Sequence, residues 1–382
     1  MSATEENVMN EKEIAELRRR YRPDRSSITH IYGCFVNEKK EIISEFDQSL
    51  GSMSEDDAQG MLSILKKVFS GAQGRNLHEI EFSTQQVSES ENYALMANLR
   101  STKLSDPEKR ALLFNKIASS LEFDENYMIL LAHDIYDVFD YAADGEAEKE
   151  AAKIFSYIVC AVCPVKNGKP VMSYYMPSKS FRSISSDVTL SRPELGFVYP
   201  AFDDREANIY KVLYYTRSIE DSHDLFAETL FEAKLPMPAA EQKHTFGEII
   251  EKSVGEECDL RVVRSVCAQI DHKIEEHKNE KNQELCLIDK GEAGDMLRYC
   301  GVDEEKIEKF EMQFDEKFGE DAKIPTSNLS AKKKLEVITP KVKIKVESGA
   351  SDVVEARIID GTKYILIRAD NGATVNGINV KF

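Results

Sequence analysis

The most sharply charged turn in the sequence is Asp203-Asp204-Arg205, which lies between short β-rich segments. Loops on a rigid sheet commonly carry function, so this turn could contact a partner or hold a metal ion. Acidic turns are also common in ordinary sheets, where an Asx turn and an Asp–Arg pair stabilise a hairpin. The structural interpretation is favoured, and the turn is kept as a possible functional loop.

A second acidic group could serve a metal-dependent hydrolase or nuclease. His133, Asp134, Asp137 and Asp140 lie close together in sequence, and imidazole and carboxylate groups are common metal ligands. Carboxylates near strand ends are, however, commonly solvated or capping groups. We therefore predict neither a metal nor a cofactor, and a hydrolase or nuclease that uses Asp134, Asp137 or the Asp203-Asp204 pair remains the alternative.

Cys160 and Cys163 form a lone CxxC pair in an apparent strand. A zinc site would need a second pair of ligands with suitable spacing, and none is visible in the sequence. Residues three positions apart on a strand point to opposite faces, which disfavours joint ligation. Free cysteine is commonly buried, so we expect a structural role in the core. The scattered, odd number of seven cysteines indicates a reducing cytosol.

Two clusters of cations stand out in a chain of net charge −18. The N-terminal basic island is Arg18, Arg19, Arg20, Arg22 and Arg25, and the C-terminal basic island is Lys332, Lys333, Lys334, Lys341, Lys343 and Lys345. Both could bind phosphate groups of DNA or RNA. Cations at a helix end also complement the helix dipole, and alternating lysines also protect an edge strand from aggregation. Both interpretations stay open.

The acids are concentrated in one segment. Residues 271–321 carry 17 acidic side chains against 8 lysines and arginines, which makes this segment a candidate surface for a protein partner and the chain a candidate interaction scaffold. The overall charge repels nucleic acid at long range, so any such binding must use local basic patches.

Several classes of function are disfavoured by what the sequence lacks. It contains no GxxxxGK[ST], GxGxxG or GxSxG motif, and it therefore leans away from an enzyme. No apolar run approaches the roughly 18 to 20 residues that cross a bilayer. The N-terminus also lacks the apolar stretch of a secretory signal. We expect a cytoplasmic protein, with the nucleoid as one candidate location, and no membrane partner.

The elements that position these residues predict an α+β fold. Strand and helix patterns indicate a mixed, mostly antiparallel sheet with helices, a helical middle region and a small C-terminal β unit. The predicted divisions are a flexible extension over 1–10, an α+β core over 11–235, a helical region over 236–325 and a C-terminal β unit over 326–382. Asp360-Gly361, between two apolar runs, is the strongest hairpin signal, because both turn positions need positive φ.

An aromatic block marks the centre of the predicted sheet. Residues 155–215 hold 11 of the 33 phenylalanines and tyrosines, together with short β-rich runs and prolines. This density predicts packed central strands, with Cys160 and Cys163 among them.

Specific segments of the chain resemble a bacterial family known as domain of unknown function 4317. The resemblance rests on FSYIVCAVCPVK, PELGFVYPAFDDREANIYKVLYYT, EIAELRRRYRPDRSSITHIYGCFVNEKKEIISEFDQSLG and VEARIIDGTKYILI, and it covers nearly the whole chain from Met9. The family carries no established activity that the resemblance could transfer.

The order of elements also resembles that of NdpA-type nucleoid-associated proteins. The similar parts are ENYALMANLR, FNKIASSL, NYMILLAHDIYDV, FSYIVCAVCPV, DLFAETLFEA, KVKIKVES and GTKYILIRAD. This resemblance implies a non-enzymatic protein that binds nucleic-acid backbone. We therefore expect salt-sensitive, weakly sequence-specific binding through the two basic islands.

Overall fold

The computed structural model describes residues 9–139, 153–166, 168, 171–184, 188–280, 284–330, 335–346, 351–370, 372–375 and 377–381. The chain divides into two compact units between Pro238 and Ala239. This division lies three residues beyond the end of the predicted core domain. The second unit contains both the helical region and the segment assigned to the C-terminal β unit.

The first unit combines helices on one sheet with short additional hairpins. Its helices are α1 (Glu11–Arg20), α2 (Glu55–Leu65), α3 (Thr84–Glu89), α4 (Glu91–Ser101), α5 (Pro107–Ser120) and α6 (Asp224–Phe231). Its strands are β1 (His30–Val36), β2 (Ile42–Ser49), β3 (Leu77–Glu81), β4 (Tyr127–Val138), β5 (Lys153–Lys166), β6 (Val171–Tyr175), β7 (Ser180–Ile184), β8 (Thr189–Leu190), β9 (Leu195–Tyr199), β10 (Ala201–Asp203), β11 (Glu206–Asn208) and β12 (Lys211–Thr216).

The main sheet has the strand order β2-β1-β4-β5-β9-β12-β3, and β8 pairs with β5 beside this path. Neighbouring strands along this path are antiparallel. Strands β4 and β5 lie at its centre and pair over the whole length of β4. The prediction of an α+β fold with a mostly antiparallel sheet is confirmed.

Helices cover both faces of this sheet. On β5, alternate side chains such as Ile158 and Cys160 join the core formed with α4, α5 and α6, whereas Tyr157 and Cys163 join the core formed with α1 and α2. Because β5 is buried on both faces, its sequence is an almost continuous apolar run instead of an alternating one.

The N-terminal boundary of the fold lies earlier than position 11. Asn10 caps α1 through hydrogen bonds to the backbone N–H groups of Lys12 and Glu13, and the Glu13 side chain accepts from the Asn10 N–H in return. Such a capping box stabilises the first turn of a helix. Met9 is fully buried. Met9 and Asn10, assigned from the sequence to the flexible extension, are therefore part of the first unit.

The second unit begins with helices. These are α7 (Ala239–Val254), α8 (Leu260–Asn279), α9 (Lys290–Tyr299), α10 (Glu304–Phe318) and α11 (Thr326–Leu329), with the short strands β13 (Leu287–Ile288) and β14 (Ile324–Pro325) between them. Their apolar faces share one core, which includes Phe246, Phe310 and Phe314.

Two-stranded hairpins follow the helices in the second unit. Their strands are β15 (Leu335–Ile338), β16 (Lys343–Val346), β17 (Val354–Ile359), β18 (Thr362–Ile367), β19 (Ala373–Val375) and β20 (Ile378–Val380), paired in sequence order. Asp360 and Gly361 form the turn between β17 and β18 with φ of 49° and 77°. The predicted hairpin at this position is confirmed, with the positive φ that its sequence demands.

Candidate functional site

Asp134 is the centre of a buried cluster of charges on the α1 side of the main sheet. Its side chain is 1% exposed and accepts hydrogen bonds from Arg20 Nε at 3.2 Å, from the Ser27 backbone N–H at 2.8 Å and from the Tyr157 hydroxyl at 2.8 Å. Hydrogen bonds from this many donors offset the cost of burying a carboxylate. Asp134 is therefore bound by the protein itself.

Arg20 reaches Asp134 from the last turn of α1. Its guanidinium lies 4.3 Å from the centre of the Tyr136 ring and donates a further hydrogen bond to the Ile135 carbonyl at 2.9 Å. Arg18, two residues earlier in the same turn, donates to the Phe69 carbonyl, and burial lowers its pKa. These two members of the N-terminal basic island are used inside the fold, so they do not belong to an exposed phosphate-binding surface.

The Asp203-Asp204-Arg205 turn joins β10 to β11. Asp204 and Arg205 have φ of 49° and 56°, the left-handed geometry of a tight two-residue hairpin turn. The Arg205 guanidinium donates to the Glu16 carboxylate on α1 at 2.9 and 3.2 Å, and the Arg205 backbone N–H donates to Glu13 at 3.0 Å. Glu16 also accepts a hydrogen bond from the Tyr136 hydroxyl.

Asp203, the first residue of this turn, is also partnered. It is 7% exposed, accepts from the Asn208 side-chain amide at 3.0 Å and lies 3.8 Å from Lys211 Nζ. Lys211 in turn lies 3.2 Å from Glu79. Burial raises the pKa of Glu79. Burial also raises the pKa of Glu13, and the nearby negative charges of Asp203 and Asp204 raise it further.

We call these linked groups the buried ionic network; its members are Glu13, Glu16, Arg20, Glu79, Asp134, Asp203, Arg205 and Lys211. Its contacts join α1 and the β10–β11 hairpin to β4 and β12 of the sheet. Each of these members has an oppositely charged or hydrogen-bonding neighbour within the fold, as buried charges require. This arrangement positions α1, and it gives the charged turn a structural role.

The four residues considered as metal ligands are not brought together. Asp134 lies on the α1 face of β4, while the His133 ring lies on the other face, 2.9 Å from Ser156 Oγ. Asp137 is exposed, and Asp140 lies outside the described residues. Within the described ranges, no group of three or more histidine, cysteine, aspartate or glutamate side chains could hold a metal ion.

Cys160 and Cys163 lie on opposite faces of β5, as predicted, and both are fully buried free thiols. Burial raises the pKa of the Cys163 thiol to about 12 and raises that of Cys160 well above its ordinary value. Protonated, buried thiols are poor nucleophiles and poor metal ligands. The prediction of a structural role is confirmed by their position in the two cores.

The exposed cations of the islands are fewer than the sequence suggests. Arg19, Arg22 and Arg25 are exposed, and Arg25 lies 3.8 Å from the exposed Asp24. In the C-terminal island, Lys332, Lys333 and Lys334 lie outside the described residues. Its remaining members, Lys341, Lys343 and Lys345, are described, and all three are exposed.

Lys343 and Lys345 lie on strand β16, whose other face carries the half-buried Ile344 and the buried Val346. We call residues 335–346 the lysine hairpin. Glu336 on β15 lies 2.7 Å from Lys343 Nζ and 3.5 Å from Lys345 Nζ. Hydrogen bonding to Lys343 lowers the pKa of Glu336, so this carboxylate stays ionised among the lysines. The lysine face is therefore exposed and partly neutralised.

The acidic segment over 271–321 folds into the end of α8, α9 and α10. Several of its acids pair within the second unit, as in the contacts Lys290–Asp315 at 2.5 Å and Arg298–Glu304 at 2.6 Å. Its charge is thus carried largely on ordinary solvated helix faces, and nothing in the described residues singles out a partner for it.

A feature that the sequence interpretation missed is the hairpin of β6 and β7, residues 171–184, here called the aromatic hairpin. Its strands pair with each other and with no other described strand. Tyr174, Tyr175 and Phe181 are 48%, 40% and 69% exposed. Tyr174 and Phe181 face each other across the strands with ring centres 5.1 Å apart, and the Arg182 guanidinium lies 4.0 Å from the centre of the Tyr175 ring.

The aromatic block therefore divides into two parts. Phe155, Tyr157, Phe197 and other rings are buried in the central strands, as predicted, but the three rings of the aromatic hairpin are outside the core. A signal for the hairpin exists in the sequence: residues 167–186 contain three cations and no acid, and they lack the continuous apolar run that marks β5. A long acid-free segment with cations and aromatic residues is typical of a surface for an anionic partner.

Comparison with known proteins identifies one family. No curated protein and no solved structure matches this chain. A family model described as Domain of unknown function (DUF4317) matches residues 9–378, nearly the entire chain, and its match begins at the buried Met9. The chain belongs to this DUF4317 family.

Proposed function

We propose that this protein is a non-enzymatic, nucleoid-associated-like protein of the cytoplasm that binds the backbone of nucleic acids through exposed basic segments. The observation that carries the proposal is the lysine hairpin. Lys343 and Lys345 are alternate residues of β16, Lys341 lies in the turn that precedes this strand, and all three are exposed. Alternate residues of a strand lie on one face roughly 6.8 Å apart, so the ammonium groups of Lys343 and Lys345 suit successive phosphates, and Lys341 adds a cation from the turn.

The surrounding charge determines what kind of binding to expect. The chain carries a net charge of −18, which repels a polyanion except where cations are locally concentrated. Glu336 further reduces the net charge of the lysine hairpin. Binding should therefore be modest in affinity, insensitive to base sequence and strongly weakened by salt.

Arg19, Arg22 and Arg25 are the second set of exposed cations that support the proposal. Guanidinium groups bind phosphate oxygens in a bidentate manner. The resemblance in element order to NdpA-type nucleoid-associated proteins supports the same class of function by analogy. No feature of the described residues favours the metal-dependent alternative, because Asp134 and Asp203 are bound within the buried ionic network.

The proposal is tested by fluorescence anisotropy with a labelled duplex of mixed sequence at 50 mM salt. The variant K341A/K343A/K345A should bind on the order of tenfold more weakly. The slope of its log K against log salt concentration should be less negative by about 2 to 3. A matched control is K39A/K363A/K381A, which removes three exposed lysines elsewhere and leaves the same net charge. Equal binding by the two variants would show that the lysine hairpin is not the interface.

A further inference from the structure

The aromatic hairpin exposes large side chains on both of its faces. Tyr174 and Phe181 share one face with Met172, which is 64% exposed, while Tyr175 and Arg182 lie on the other face. An isolated two-stranded hairpin is at best marginally stable in water, and strands normally bury one apolar face. Exposed aromatic rings on such an element mark a binding surface.

The charge around these rings identifies the partner's chemistry. Between Lys153 and Asp187 the sequence has no acid and five cations: Lys153, Lys166, Lys169, Lys179 and Arg182. Lys153 pairs with Glu206 on β11, so it is not counted toward an anion-binding surface. Lys166, Lys179 and Arg182 are exposed, and Lys179 lies in the turn region between β6 and β7. In a chain of net charge −18, this segment is a local attractor for a polyanion.

We infer that the aromatic hairpin is a stacking platform for single-stranded nucleic acid; the inference rests on the proposed function and names the form of nucleic acid that is bound. Flat exposed rings interleaved with cations match a chain of phosphates with unpaired bases. Such bases stack on aromatic rings without regard to sequence, and arginine adds cation–π contacts. In a duplex the bases are already stacked on each other, so the platform should discriminate against it.

Other occupants fit the surface less well. A protein partner that covers one apolar face would leave the rings of the opposite face exposed, whereas a flexible single strand can stack bases on either face. A second copy of this chain could approach through its acidic segment over 271–321, and this possibility is included as an outcome of the experiment.

The experiment measures anisotropy of labelled 20-nucleotide dT and U single strands and of a mixed-sequence duplex. The variant Y174A/F181A removes two rings and no charge. Its control Y299A/M312A removes two side chains that are 79% and 73% exposed elsewhere. We expect Y174A/F181A to bind the single strands about tenfold more weakly, with duplex binding within about twofold and the salt dependence unchanged.

A second variant tests the cations. For single strands, K179A/R182A should make the slope of log K against log salt less negative by about 1.4, because each phosphate contact on a single strand contributes about −0.7 to that slope. The charge-matched control K39A/K363A should keep the wild-type slope.

The outcomes separate this inference from the proposed function. If Y174A/F181A binds single strands as its control does, the inference is overturned, while loss of duplex binding in the lysine-hairpin variant would still support the proposed function. If wild-type protein binds neither form at 50 mM salt, both are overturned. If sedimentation shows that Y174A/F181A abolishes self-association while oligonucleotide affinity stays the same, the hairpin contacts a second copy and the inference is also overturned.

Discussion

Two arginine–tyrosine contacts in the first unit have similar geometry and different surroundings. Arg20 lies 4.3 Å from the centre of the Tyr136 ring, and Arg182 lies 4.0 Å from that of Tyr175. The first arginine is 13% exposed and paired with the buried Asp134; the second is exposed on a segment without acids. The comparison shows that similar arginine–tyrosine contacts can differ in role: Arg20 is held inside the fold by a buried carboxylate, whereas Arg182 stays exposed.

The largest expected difference between the two regions is in stability. Arg20→Ala should reduce the free energy of unfolding by about 3–5 kcal/mol, because it leaves the buried Asp134 carboxylate without its cation. Arg182→Ala should change it by less than about 1 kcal/mol, since an exposed cation–π contact contributes little. Urea unfolding of both variants, followed by circular dichroism, makes the comparison. Similar losses in the two variants would contradict the contrast between the regions.

A smaller effect is expected from pH. Burial lowers the pKa of His133 to about 4, and the positive charges of Lys103 and Arg100 act in the same direction. His133 takes up its proton at about pH 6.5 in the unfolded chain but only at about pH 4 in the folded protein. The neutral, folded His133 therefore contributes its full stability above pH 6.5, and this contribution is lost as the pH falls towards 4. His133→Gln should remove part of the decrease in stability between pH 6.5 and 4.

The matched control for the pH prediction is His244→Gln, because the His244 side chain is 76% exposed. Unfolding midpoints measured in urea at half-unit pH steps would give both profiles. Identical profiles for the two variants would show that His133 does not contribute to the pH dependence. Binding by the aromatic hairpin should not follow this profile, since its described residues include no histidine or carboxylate.

The smallest expected effect, and one of opposite sign, concerns the lysine hairpin. Glu336→Gln removes the carboxylate that lies beside Lys343 and Lys345, so it should strengthen duplex binding roughly two- to fivefold at low salt. Glu355→Gln, at an exposed pair with Arg357 on the neighbouring hairpin β17–β18, is the control. Weaker binding by Glu336→Gln than by the control would argue against phosphate contact at this face.

Local signals in the sequence predict much of the fold. Asp360-Gly361 makes its turn, and the apolar run of β5 lies at the centre of the sheet, both as predicted. Asn10, which caps α1, falls instead within the predicted extension. Where a strand signal and a helix-start signal lie side by side, the sequence does not locate the boundary between the two elements. Strand β3 ends at Glu81, and Ser83 and Gln86 form a capping box that begins α3 only three positions later.

The roles of charged residues depend on contacts far apart in sequence. The ion pair of Arg20 with Asp134 joins residues 114 positions apart, and that of Arg205 with Glu16 joins residues 189 positions apart. No local pattern specifies such pairs. The aromatic hairpin was missed for a related reason, because ring density alone does not distinguish core strands from exposed ones. The informative signal over residues 167–186 is the combination of cations, absence of acids and absence of a continuous apolar run.

The salt dependence of single-strand binding is the most direct test of whether the exposed basic and aromatic segments bind nucleic acid. Affinity of the wild-type protein for the labelled dT strand would be measured by anisotropy from 50 to 200 mM salt. At about 0.7 per phosphate contact, either the two cations of the aromatic hairpin or the three lysines of the lysine hairpin should give a linear plot of log K against log salt with a slope of about −1.4 to −2.1. Absence of binding at 50 mM salt, or an affinity that salt does not change, would contradict the claim.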